Sequence, residues 1–427
     1  MAGPAPIFII AGESSGELYG ALLAREIKKL RPDAGLYGIG GDLMKAEGVH
    51  LLAGVSGAFG LIEAFSHLKD LKASMKTLLE AADTLKPKVA VLIDFPGFNF
   101  KAAAHLRENG IKILYYVSPQ FWAWRAGRIK KMAQLVDRAA LILPFEEELY
   151  KKAGIPHEFV GHPALDEIAA MPPGKISKKE FGIDDDTPVL SILPGSRPSE
   201  LKKHLPLVSG FLDMFSREYP DWKCVIPLAP NLDTQPFITE LRRLRAQGAI
   251  IKRAMSLKAL SVSEATMVAS GTAALQAAFM KKPAAVFYKL SPFTFYTARL
   301  FVKVKYVSLV NILYGDMIVR EFLQDKAKPS IIMEEVRKII GDPDYSGLMK
   351  RRMESIRERF EGKHASKRVA QMVLELTGEN DQRGNPSSPA PKDPPPPAPA
   401  PRNQARKGQP DSAYRKPVQP GLFGDPE

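Results

Sequence analysis

One acid stands where an apolar strand gives way to a helix. KVAVLIDFPGFNF (88–100) places Asp94 at the carboxyl end of a buried strand, the edge at which α/β proteins bind ligands. A carboxylate there can take a proton from an attacking hydroxyl, as a general base does. Asp94 and Asn99 read equally well as N-caps of the following helix. Two later segments, PVLSILPGSRPSELKKHLPL (188–207) and ATMVASGTAALQAAFMKKP (265–283), each pass from strand through a small-residue turn into a helix. Free N–H groups and the positive end of the helix dipole make such a turn a seat for phosphate. Gly195, Ser196 and Arg197 in the first turn, and Gly271, Thr272 and Ala273 in the second, are therefore expected to grip a nucleotide diphosphate. An acid in the front half and phosphate seats in the rear half point to a nucleotide-using enzyme.

Other segments add weaker signals. Gly12-Glu13-Ser14-Ser15-Gly16-Glu17 joins a strand to a helix. It has neither the Walker nor the Rossmann glycine spacing, and reads either as a sugar or phosphate contact through Glu13 and Ser15 or as a tight βα turn. GIGG at 38–41 reads as a turn. YYVSPQFWAWRAGRIKKM (115–132) mixes aromatic rings and cations. Trp122, Trp124, Arg125 and Arg128 could meet an acyl chain and an anionic headgroup; base stacking, or tryptophans in the core, would leave the same pattern. His162 has no metal-ligand partner at HxH or HExxH spacing and is expected to be structural. The acids at 184–186 and at 342 and 344 read as caps, so no metal site is expected.

These residues must be carried by repeated βα units. Apolar runs at 7–11, 88–93, 111–117 and 139–143, and again at 189–193, 223–227, 249–252, 265–269 and 284–288, read as buried parallel strands. Helical patterns alternate with them, and 170–174 reads as a linker. The expected domains are 1–170, on the acceptor side, and 171–345, which binds the nucleotide. Residues 346–379 form helices that pack back on the first domain or on a partner. From 380 to 427 a Pro-rich tail cannot bury enough apolar surface to fold. The chain has 427 residues, one cysteine and a formal charge of +13. The single Cys224 excludes internal disulfides and fits a reducing cytoplasm. The charge favours polyanions without choosing among nucleic acid, acidic membrane and phosphorylated substrate. No RNP, KH or helix-turn-helix pattern supports nucleic acid. Neither a secretory signal nor a membrane-spanning helix is expected.

In order along the chain, GESSGE (12–17), IDFPGFN (93–99), YYVSPQFWAWR (115–125), FVGHP (159–163), LPGSR (193–197), ASGTAAL (269–275) and YVSLVNIL (306–313) resemble the lipid-A-disaccharide synthase family. The resemblance covers about residues 6–377. It implies a GT-B fold, two Rossmann-like parallel-sheet domains facing across a cleft. It also implies an inverting transfer that joins UDP-2,3-diacylglucosamine to 2,3-diacylglucosamine 1-phosphate (lipid X), giving a β-1,6-linked disaccharide and UDP. Asp94 matches the catalytic aspartate, and Asn311 a position implicated in donor binding. Glu13, Ser15 and Asn99 would line the acceptor side. Arg197 and the 271–273 helix start would hold the departing UDP with no metal and no cofactor.

Members of that family commonly carry Asp where Glu17 stands, a second Asp where Gly97 stands, and Glu where Gln276 stands. In GT-B enzymes the last acid usually binds ribose hydroxyls, which Gln276 can still hydrogen-bond. Acylated substrates imply a cytoplasmic enzyme bound peripherally to the inner face of the inner membrane. Phe59, Leu61, Ile62 and Phe65, and Phe293, Phe295, Tyr296, Leu300 and Phe301, would serve as apolar contacts unless they are core. Family members can form homodimers through exchanged carboxyl-terminal segments. A UDP-sugar epimerase, another GT-B transferase and a basic nucleic-acid binder are the competing readings.

Overall fold

Thirteen strands, all in parallel pairs, form two sheets in this computed structural model, which describes residues 5–54, 68–123, 126–172, 176–290 and 305–378. The first holds β1 (Ile7–Ala11), β2 (Leu36–Gly40), β3 (Val49–Gly54), β4 (Val89–Ile93), β5 (Lys112–Tyr116), β6 (Arg138–Leu141) and β7 (His157–Phe159). Their spatial order is β3-β2-β1-β4-β5-β6-β7. The second holds β8 (Val189–Leu193), β9 (Lys223–Leu228), β10 (Ile250–Arg253), β11 (Ala265–Ala269), β12 (Ala284–Tyr288) and β13 (Arg320–Leu323), ordered β10-β9-β8-β11-β12-β13. Helices cover the faces of both sheets. β1, β4, β8 and β11 are buried along their whole length, as suits largely apolar strands covered on both faces.

Each sheet reverses its winding once. In the first, β1 pairs with β4, Ala11 beside Ile93; in the second, β8 pairs with β11, Leu193 beside Val268. The turns that leave these four strands begin at Gly12, Asp94, Pro194 and Ser270. Ligands of open α/β sheets bind at such reversals, so the topology alone brings the four suspected segments to two cleft edges.

GIGG is a correction: Leu36–Gly40 is β2, not a turn. Gly38 lies so close to Ile9 that a Cβ would collide with its carbonyl. The glycines that suggested a turn are there because two backbones touch. After β13 the chain forms helices Pro329–Gly341, Pro343–Glu358 and Ala365–Leu376. The last packs on helix Ser14–Leu30 and against β4 and β5 of the first sheet. It is tied there by charge. Arg368 grips Glu158 with two bonds of 2.6 and 2.8 Å and reaches Glu375 at 2.7 Å, and Arg138 contacts both acids. Residues 173–175 of the linker and the 380–427 tail lie outside the described residues.

Candidate active site

Asp94 follows the last residue of β4 in a turn that L-residues resist. Its φ is 45° and that of Phe95 is 47°, two consecutive left-handed residues that cost about 1–2 kcal/mol each. The surroundings hold them there. The Asp94 N–H donates to the Tyr116 carbonyl at 3.1 Å. Its carbonyl accepts from the Tyr115 hydroxyl at 2.6 Å and from Asn99 Nδ2 at 2.7 Å, and Asn99 also reaches the Ile93 carbonyl at 3.2 Å. Phe95 stacks on Phe98 at 5.4 Å and lies over Gly12, where a Cβ would overlap its ring. With the main chain bound inward, the half-buried carboxyl is left for the cleft.

Burial, reinforced by the charge of Glu13 and opposed by Arg197, lifts the Asp94 carboxyl to about 7. A base with that affinity for protons is tuned to neutral pH. Glu13 and Arg197 belong to different sheets, yet Arg197 Nη2 lies 2.5 Å from Glu13 Oε2. Asp94 senses both, so it sits where the lobes meet. A second bridge joins Asn231 Nδ2 to Glu17 Oε2 at 2.5 Å, while Glu17 also accepts from the Leu43 N–H at 2.9 Å. Glu17 therefore serves as a buried tie between lobes.

Of the two expected phosphate seats, one is closed. Glu200 Oε2 takes the N–H groups of Ser196 (2.9 Å) and Arg197 (3.2 Å), and Glu200 Oε1 takes the Tyr288 hydroxyl (3.0 Å). An acid four residues after Ser196 satisfies the amides that sequence alone would leave for a ligand. Gly195 (φ +114°) gives Glu200 room, since a Cβ would press on its carboxylate. Arg197 thus contributes its guanidinium and not its amide. The other seat is open. Gly271 (φ +147°) begins helix Thr272–Phe279 with no side-chain cap and nothing near its missing Cβ. The N–H groups of Thr272 and Ala273 have no acceptor among the described residues.

Three sequence expectations change. Asn311 is fully buried and spends its whole amide internally, donating to Val319 O and Glu321 Oε1 (2.8 Å each) and accepting from the N–H groups of Ile318 (2.8 Å) and Val319 (3.0 Å). It anchors the entry to β13 and has nothing left for a donor. Asn99, also fully buried, holds the Asp94 turn instead of touching an acceptor. Trp122 packs edge-on against Phe145 at 5.0 Å with its indole nitrogen buried. It faces inward, beside the buried Glu146 that burial lifts to about 8, and is no free membrane contact. Arg128, Lys130 and Lys131 are exposed and Ser15 is half-buried. Trp124, Arg125 and the apolar patches at 59–65 and 293–301 lie outside the described residues. Gly97 is exposed with open space around it, so Asp94 is the sole acid of its turn. His162 caps helix Pro163–Ala169, accepting from the Ala164 N–H at 3.1 Å, and burial keeps it neutral by lowering it to about 3.

Sequence reading missed Glu167 and Tyr19. Gln276 Nε2 donates to Glu167 Oε2 at 2.6 Å, and burial lifts Glu167 to about 7. Tyr19 is 3% exposed. Burial and the charges of Glu167 and Asp94 push its hydroxyl up, and the Thr272 side chain that it faces opposes them. The base and the open helix start therefore flank one residue. The absence of an acid at 276 was the only sequence signal for Glu167.

Comparison with known proteins gives the family and the fold. The family model for lipid-A-disaccharide synthetase matches residues 7–375. The lipid-A-disaccharide synthase of Myxococcus xanthus is 37% identical over 380 residues, covering 88% of this chain and 98% of that protein. The Geobacter sulfurreducens enzyme of that name is 34% identical, covering 87% and 97%. Among solved structures, a UDP-GlcNAc 2-epimerase from Neisseria meningitidis bound to UDP-GlcNAc superposes with a TM-score of 0.61 at 14% identity, covering 87% of this chain and all of that one. The glycosyltransferase of kitacinnamycin superposes with a TM-score of 0.58 at 15% identity, covering 88% and 100%. At such identities they speak for the fold, which is GT-B. With a family model spanning nearly all of the folded chain, and an acid and an open helix start at facing switch points, the chain belongs to the lipid-A-disaccharide synthetase family.

Proposed function

We propose that Asp94 is the general base of lipid A disaccharide synthesis, the glycosyl transfer that this family carries out. The acceptor is 2,3-diacylglucosamine 1-phosphate and the donor UDP-2,3-diacylglucosamine. Asp94 accepts the proton of the acceptor 6-hydroxyl as its oxygen attacks the anomeric carbon. The bond from that carbon to the UDP oxygen breaks on the opposite face, so the configuration inverts. Negative charge grows on the departing diphosphate. The N–H groups of Thr272 and Ala273 and the Arg197 guanidinium are the groups available to stabilise it, and the reading calls on no metal or cofactor. Arg197 is paired with Glu13, and binding a diphosphate would draw it from that carboxylate.

The observation that carries the reading is the place of Asp94, at the carboxyl end of β4 where the first sheet reverses its winding, beside the Glu13–Arg197 pair that joins the lobes; burial there lifts its carboxyl to about 7. No helix among the described residues is long and apolar enough to cross a membrane. The acylated substrates would then be met at the surface of an acidic leaflet, which the exposed cations Arg128, Lys130 and Lys131 suit.

The test is product mass spectrometry with both diacylated sugars. Disaccharide 1-phosphate and UDP should appear only when both are supplied. Asp94→Ala should lower kcat by about 10²–10⁴-fold and leave UDP affinity unchanged. Undiminished turnover in that variant removes Asp94 from the role.

A further inference from the structure

We infer that Glu167 supplies the carboxylate that receives the vicinal hydroxyls of the donor's ribose, with Gln276 as its amide partner. The inference rests on the donor reading above and adds a residue to it. Gln276 lies four residues along helix Thr272–Phe279 from its start, about 6 Å along the axis. A nucleoside diphosphate with its phosphates at that start has its ribose within reach of side chains on the first turns of the helix. α/β nucleotide sites meet the ribose hydroxyl with an acid, and residue 276 is an amide. Its Nε2 points to Glu167, on the helix after the first sheet, at 2.6 Å.

That bond uses one oxygen of the carboxylate and the nitrogen of the amide. Glu167 Oε1 and Gln276 Oε1 accept no hydrogen bond among the described residues, and neither is sealed from solvent. One acceptor left on each of two hydrogen-bonded side chains matches the two hydroxyl donors of a vicinal diol. Tyr19 lines the same place, its buried hydroxyl facing the Thr272 side chain and feeling the charge of Glu167. Burial holds Glu167 up at about 7, and a diol donating to it would stabilise the ionised form that burial disfavours.

The test compares UDP with 2′-deoxy-UDP by calorimetry in the wild type, Glu167→Gln, Gln276→Glu and the double exchange. The wild type should prefer UDP by about tenfold or more, as a hydrogen bond to a charged group is worth. Glu167→Gln should abolish the preference. Gln276→Glu alone confronts two carboxylates and should weaken UDP binding, while the double exchange should restore it with the preference. Thermal melts check folding. Should Glu167→Gln not fold, Glu167→Asp replaces it, with a weakened preference expected. A Glu167 variant that keeps the full preference overturns the inference, and so does a loss that the double exchange fails to repair. Wild type that binds UDP without preferring it overturns the role of Glu167 and leaves the donor reading standing. Binding of neither nucleotide overturns both.

Discussion

Removing the Asn99 amide should disarm the base without touching it. Asp94 and Phe95 store about 1–2 kcal/mol each in their left-handed backbone, so about 2–4 kcal/mol favours relaxation of the turn. Opposing it, Asn99 donates to the carbonyls of Ile93 and Asp94 and Tyr115 to that of Asp94, each bond worth about 1 kcal/mol net. Asn99→Ala deletes two of the three and leaves the Ile93 carbonyl without that donor, so strain prevails and the carboxyl shifts. A displacement of about 1 Å costs roughly 10²-fold in rate. Tyr115→Phe deletes one bond, the strain stays restrained, and the loss should stay below about tenfold. The assay is kcat for UDP release at saturating substrates, beside UDP affinity and Tm. Affinity should hold in both variants, because the open helix start is on the other lobe. Combining the two should cost more than the sum of their effects. An Asn99→Ala enzyme with lowered Tm and normal kcat would refute the idea that this network aims Asp94.

Further outcomes follow from the same contacts. kcat should climb about tenfold per pH unit below about 7 and level off above it, since only ionised Asp94 takes the proton; a flat profile from pH 5 to 8 contradicts this. Stability should move the other way. Asp94, Glu167 and Glu146 are raised to about 7, 7 and 8, so over the interval from the ordinary carboxylate range to those values the native state binds more protons than the unfolded chain. Their contribution is fullest in acid and is lost as pH rises to 8, and Glu146→Gln should flatten the fall of Tm over that range. Gly12→Ala drives a methyl into the Phe95 ring and should lower kcat while sparing UDP binding, as calorimetry would report. Arg368→Ala unties helix Ala365–Leu376 from Glu158 and Glu375. Discounted for partial exposure, the loss should be about 1–2 kcal/mol, readable as a lower urea midpoint.

The sequence by itself determined nine of the thirteen described strands, with β2, β3, β7 and β13 missed, and the region of the chemistry. Short apolar runs bounded by turn residues read as strands buried on both faces, and the turn that leaves such a strand is fixed by its neighbours in the chain, so Asp94, Glu13, Arg197 and Gly271 were legible. β2 was not, because its glycines answer to Ile9, which lies in another strand. Only the tertiary structure decided which amides stayed free. Glu200 closes the 196–197 seat, whereas the 271 helix start carries no cap of its own. It also decided that Asn311 and Trp122 turn inward. Glu167, 109 positions before Gln276, became visible only when the chain returned to the same place. The physical reason is range: hydrophobic period and turn chemistry act over a few residues, while burial, proton affinity and hydrogen-bond partnership are set by whatever segment folding brings alongside.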